Sequence, residues 1–276
     1  MIHRLRTITL ALICALVAAC GGGGGGSSSP PATTTPPPPP PPPPAGDPLG
    51  EVQDKDTEAR RLFAALADEV IAPGHEAFAG SLQSLEADLT DVCGSAPTLA
   101  LADVQQSWRD AMLAWQAIQI VRFGPVTLNN VNFRIQFFPD PNNAAENNSN
   151  QVLGNGAPIS EAVIAGSAVG AQGLPALEYL LFTLGGLDDV TEGPRRCEFG
   201  LAVAANLRTM VADLLAAWTG DYRDDFAGAT GAFADVDAVL TEILETMAVQ
   251  GENIGDRKLG DGLNSGSITV LESFRA

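Results

Sequence analysis

The chain has 276 residues, of which 45% are hydrophobic and 17% charged, and its 33 acidic against 15 basic side chains leave a formal net charge of −18. So acidic a body does not bind nucleic acid and is repelled by anionic lipid headgroups. It holds neither a phosphate-cradling glycine loop running into a helix nor a nucleophile-elbow sequence, so nucleotide and ordinary hydrolase chemistry have no support.

The first element is a signal. Met1 to Arg6 is short and basic, Ile8 to Val17 is apolar but too short to span a bilayer, and the small residues Ala18 and Ala19 precede Cys20. The tetrapeptide Val17-Ala18-Ala19-Cys20 resembles a bacterial lipobox, which implies removal of residues 1–19 and acylation of Cys20. Several acyl chains on that cysteine would anchor the protein stably, whereas one alone would not. Gly21 follows in place of an aspartate, which among lipoproteins implies the outer membrane, facing the periplasm or exposed at the cell surface. Removing Arg4 and Arg6 with the signal leaves 13 − 33 = −20.

A tether comes next, over residues 20–50. Residues 21–26 are glycine, 27–29 serine and 36–44 proline, a flexible coil followed by a stiff polyproline rod of ~3.1 Å per residue. It cannot bury apolar surface, so it is expected to be disordered and to hold the domain at residues 51–276 away from the membrane.

That domain reads as helical. Helix one is expected to begin near Thr57 and to kink or break at Pro73-Gly74. Apolar stripes spaced three and four apart run through Phe78, Leu82, Leu85, Leu89 and Val92, and through Leu101, Val104, Trp108, Ala111, Trp115 and Ile118. Two more run through Leu201, Ala204, Leu207, Val211, Leu214 and Trp218, and through Phe233, Val236, Leu240, Ile243 and Met247. Stripes of this period bury one helix face against other helices, and no alternating strand pattern competes, so the fold class is all-α, an up-and-down bundle. From Gly124 to about Pro158 an irregular connection is expected, with Pro139 to Gly156, rich in asparagine and proline, as surface loop of the long kind that often carries function. Asn147-Asn148-Ser149 matches a glycosylation sequon, which is set aside in a bacterial lipoprotein. Loss of Cys14 with the signal and acylation of Cys20 leave Cys93 and Cys197 as the exported thiols, predicting a disulfide, with two separately buried thiols as the alternative.

The chemistry is narrow. His75 is the one histidine after removal of residues 1–19, which excludes sites with two imidazole ligands. Glu178 stands inside the apolar run Gly173 to Phe182, where an ionised carboxylate needs an arginine, several donors or a metal. Arg122, Arg134, Asp140 and Lys258 lie in the other unusual segments and form a candidate polar cluster with it. A buried Glu–Arg pair that merely fixes the packing is the competing reading.

These segments together resemble the imelysin-like family of bacterial envelope proteins, which includes iron-regulated lipoproteins and a proposed metallopeptidase. The matching pieces are Trp108 to Pro125, Arg134 to Asp140, Gly173 to Phe182, Cys197 and Asp256 to Gly260, ordered over roughly residues 58 to 276. The resemblance implies an all-helical fold with two bundle-like halves and a metal bound between them by the signature G-x-H-x-x-E. Gly173 and Glu178 match its ends, but Pro175 stands where the histidine belongs, and proline ligates nothing. His75 is the candidate replacement. The family also continues past the segment Leu271 to Arg275, so the chain is expected to be truncated at its C-terminal end, exposing apolar faces of the second half.

Three functions follow as expectations. The first is a membrane-anchored, periplasm-facing binding protein linked to iron or metal uptake, with Glu178, Asp140 and His75 toward a divalent or trivalent cation and Arg122, Arg134 and Lys258 in support. Carboxylate donors favour hard cations such as ferric iron or calcium. The second is a metallopeptidase, which the loss of the histidine argues against. The third is a structural or partner-binding envelope protein in which Glu178 is purely structural.

Overall fold

Ten α-helices in chain order build the part of the chain that the computed structural model describes, residues 54–140, 142–183, 186–187 and 193–260, less the side chains of 257–259. No strand occurs among the described residues. The signal, Cys20 and the tether lie outside them.

α1 (Lys55–Leu66) starts two residues before the expected Thr57, because Asp54 caps it by accepting the Thr57 backbone N–H at 3.2 Å. Pro73 does not break the helix. A π-helical turn, Ala67–Ile71, joins α1 to α2 (Ala72–Val92), and the Ala72 N–H reaches back five residues to the Ala67 carbonyl. The wider turn absorbs the amide that Pro73 lacks, so the chain continues in helical conformation where a kink or break was expected. One turn on, Gly74 lets α2 lie close to α3 (Leu101–Ile118): a Cβ there would come within 2.7 Å of the Ile118 Cδ1.

The centre of the molecule is α2 packed between α3 and the long α8 (Gly193–Trp218). Phe78, Leu82, Leu85 and Leu89 from α2, Val104, Trp108, Ala111 and Trp115 from α3, and Leu207, Val211, Leu214 and Trp218 from α8 are all buried, as their stripes predict. α8 is long and apolar enough to cross a membrane, but its apolar residues are spent on this core. Cys93, at the C-terminal end of α2, is disulfide-bonded to Cys197 in α8, with Cα atoms 5.7 Å apart and 104 residues between them. In the chain-entropy picture a loop of that length contributes roughly 4–5 kcal/mol.

α9 (Asp221–Gly228) closes against α1. Phe63, Phe123, Trp218 and Phe226 meet there in tilted, edge-on and stacked pairs with centroids 5.3–5.8 Å apart.

Two further expectations change. The stretch 139–156 is not loop throughout, for it contains α5 (Ala144–Leu153), after the short α4 (Val131–Ile135). Val152 and Ser149 of α5 are buried where the helix docks on the one-turn 3-10 segment Val169–Ala171, and that docking outweighs the poor helix propensity of its asparagines. The fourth stripe runs into α10 (Val236–Glu252) and is buried except at its far end: Phe233 and Val236 are buried, Leu240 and Ile243 are half-buried against the core, and Met247 is 55% exposed, with Leu244, outside the stripe, 63% exposed.

Candidate functional site

The Gly173–Glu178 turn is built from the outside in. α6 (Glu161–Ala165) and the 3-10 segment lead into Gln172, a buried side chain that accepts from the Arg134 Nε at 2.6 Å and donates to the Ser167 carbonyl. The Gln172 carbonyl in turn accepts from Asn206 Nδ2 of α8 at 3.1 Å. Gly173 then passes directly over the C-terminal end of α4. A Cβ at this position would lie 2.3 Å from both the Arg134 and Ile135 carbonyl oxygens, so no other residue fits without moving backbone.

α7 (Leu174–Glu178) begins there. The buried Trp108 indole donates to the Leu174 carbonyl at 2.9 Å, fixing the turn to α3. Pro175 is the second helical residue, a place where the missing amide would have no intrahelical partner anyway. Proline is therefore compatible with the backbone of this turn, and it offers no side chain able to ligate. Glu178 lies three residues on, half-buried among the buried Leu174, Leu177 and Leu181. A π-helical turn, Tyr179–Thr183, follows at once, held by the Tyr179 hydroxyl donating to Asn150 Oδ1 at 3.0 Å and by Gln105 Nε2 donating to the Leu181 carbonyl at 2.8 Å. Such π turns recur at functional sites.

The other predicted ligands are not gathered here. His75, in the core stripe of α2, is fully buried with neither ring nitrogen hydrogen-bonded, and burial pushes its pKa down to about 4. It is neutral and set in apolar packing. Asp140 is half-buried, and its two oxygens accept the Ala144 and Ala145 backbone N–H groups at 2.6 and 2.9 Å. Its carboxylate caps α5, satisfying amides that the helix leaves open. Among the described residues no three His, Cys, Asp or Glu side chains gather into a metal-binding group, so Glu178, Asp140 and His75 do not make one centre. A resident metal with an open coordination position does not fit this donor set.

Arg134 is bound to Gln172. Arg122 follows α3, where its backbone N–H donates to Thr246 Oγ1 of α10 at 3.2 Å, and Gln250 Nε2 donates to the Gln119 carbonyl at 3.2 Å. Lys258 belongs to the π-helical segment Asn253–Gly260, and its side chain lies outside the described residues.

Sequence reasoning missed the amide framework of this region: Gln172, Asn206, and Gln136, which accepts from the Trp115 indole at 2.7 Å. A signal was present, since Asn206 is a polar residue set between Ala205 and Leu207 in the apolar run of α8.

A family model described as Imelysin matches residues 71–276. The fold is similar to the crystal structure of an imelysin-like protein from Psychrobacter arcticum 273-4, at TM-score 0.66 and 19% identity, covering 75% of this chain and 65% of that one. It is also similar to the structure of an iron-regulated protein A precursor from Parabacteroides distasonis ATCC 8503, at TM-score 0.65 and 17% identity, covering 80% of this chain and 69% of that one. The chain thus spans about two thirds of the length of these structural relatives. No curated protein matches the sequence.

Proposed function

We propose, from the premise that this chain belongs to the imelysin family, that it is a lipid-anchored, periplasm-facing binding protein of the outer membrane that serves iron or metal uptake and has no peptidase activity. The observation that carries the reading is Pro175: the signature turn keeps its glycine, its helix start and Glu178, while the position of the ligating imidazole is filled by a residue that the helix start accommodates.

The lipobox-like Val17 to Cys20 supports the anchor, and the tether length supports a domain held off the membrane. The Parabacteroides neighbour is described as iron-regulated, which supports iron as cargo. Glu178 offers a hard oxygen donor suited to ferric iron or another hard cation, and the acidic body raises the local concentration of cations. A cargo cation held by one protein carboxylate must bring other ligands with it, water or a chelator.

The test is metal content and affinity of the mature chain by elemental analysis and calorimetry with ferric citrate and calcium, beside Glu178→Ala. Binding that Glu178→Ala abolishes with helicity intact is expected. A folded wild type that takes up neither cation overturns the reading. A partner-binding envelope protein is the second reading, favoured by the exposed Leu244, Met247, Val249 and Ile254 on and beyond α10. The anchor is tested separately, by radiolabelled palmitate incorporation that Cys20→Ala abolishes.

A further inference from the structure

A surface pocket of about 300 Å³ lies between α5, α6 and the start of α8, away from the Gly173–Glu178 turn in its lining residues. One wall carries the carboxamides Asn148, Gln151 and Asn155, spaced three and four apart so that they share a face of α5 and the turn after it. None of the three amide groups is engaged by a hydrogen bond among the described residues. Val152, Ile159 and Val163 supply aliphatic surface to the same pocket. This is the asparagine-rich stretch that the sequence marked as a long connection of functional type, and its helical folding is what aligns the amides.

The charge of the pocket narrows the ligand. The charged residue in the lining is Arg195, and its guanidinium is already committed. Nε donates to the Leu153 carbonyl at 3.2 Å, one terminal nitrogen to the Val152 carbonyl at 3.1 Å, and the other to the Ala157 carbonyl and the Glu198 carboxylate. An anion would compete with Glu198 for a guanidinium tied down on three carbonyls, in a protein of net charge −18. A cation finds no carboxylate in the lining. The ligand is therefore neutral. Each free carboxamide offers two N–H donors and one acceptor, which suits a molecule that alternates both functions closely along one edge. The aliphatic residues suit the opposite requirement, a C–H face. A pyranose ring has both, hydroxyls at its edge and C–H bonds on its face, and a pocket at the lower end of the ~300–1,000 Å³ range for small ligands holds one or two rings. An extended peptide needs a longer groove.

We propose that the pocket lined by Asn148, Gln151 and Asn155 binds a neutral carbohydrate of one or two sugar rings. This binding is independent of Glu178 and of the metal reading.

The test uses the full chain in detergent and two neutral probes, chitobiose and maltose, read by saturation-transfer NMR and calorimetry. Binding of at least one probe with a Kd of ~1 mM is expected, as for a small ligand held by a few exposed hydrogen bonds. Asn148→Ala and Gln151→Ala should each weaken it about tenfold with helicity unchanged, and Val163→Trp, which fills the pocket from an exposed position, should abolish it. Glu178→Ala should leave it unaltered. No transfer to either saccharide from the folded wild type overturns the proposal. Saccharide binding indifferent to all three pocket substitutions, or binding of a neutral tetrapeptide in place of the sugars, overturns it equally.

Discussion

The Gly173–Glu178 turn and α10 make the informative comparison, because both present apolar residues at helical spacing and parts of them have opposite fates. The turn is held by a side-chain hydrogen bond to its backbone, from Trp108, and by a glycine that lies on two backbone carbonyls. α10 obeys the helical period just as well, yet leaves Leu244 and Met247 in solvent. The lesson is that periodicity identifies a face able to be buried, and neighbours alone decide whether it is. A turn enclosed by partners tolerates almost no change, whereas the exposed face of α10, at Leu244 and Met247, tolerates much more.

Several changes would break or sharpen that contrast. The largest concerns the staple behind the turn. Reducing Cys93–Cys197, or replacing both by serine, should lower stability by roughly 4–5 kcal/mol, read as a fall in the urea midpoint of the reduced protein. A matched pair of glycines comes next. Gly173→Ala puts a methyl 2.3 Å from two carbonyl oxygens and should cost about 3 kcal/mol or more, whereas Gly251→Ala in α10 meets nothing within 4 Å and should stabilise by about 0.5–1 kcal/mol. Equal effects of the two in chemical denaturation would show that the turn is not locked.

Acidification probes the core beneath. Burial holds the His75 pKa at about 4, below its ordinary 6.5, so the unfolded chain takes up a proton first as pH falls. Stability is therefore intact above pH 6.5 and lost progressively between 6.5 and 4, by roughly 3 kcal/mol from this group. His75→Leu should flatten that part of the profile. If the slope is unchanged, other groups carry it.

The smallest pair compares single side chains. Trp108→Phe removes the indole donor to Leu174 and should cost about 1–2 kcal/mol. Met247→Ala, on an exposed face, should stay within about 0.5 kcal/mol. A cost of 2 kcal/mol or so at Met247 would mean that α10 is covered in solution.

The helices of the core were legible because a stripe such as Leu101 to Ile118 states its own buried face. The disulfide was legible as an expectation, because the lipobox-like start leaves Cys93 and Cys197 as the remaining thiols. Of the candidate site, Glu178 was rightly noticed as a carboxylate in an apolar run, and the departure at Pro175 was plain. Asp140 was misjudged for a physical reason: an aspartate that caps a helix and one that ligates a metal look alike until the helix is known, and α5 hides in a segment of unfavourable propensity. His75 was misjudged similarly, since an imidazole shut into the core and one lining a cleft have the same letter.

By itself the sequence determined the helical class, the core stripes, the pairing of Cys93 with Cys197 and the Pro175 that stands between Gly173 and Glu178, because each depends on composition or on spacing along one chain. Only the tertiary structure decided that Gly173 must be glycine, that Asp140 serves α5, that His75 is neutral in the core, and that three asparagine and glutamine amides share one pocket wall. Those outcomes depend on which atoms distant segments bring within a few ångströms of each other, and spacing along one segment carries no record of that.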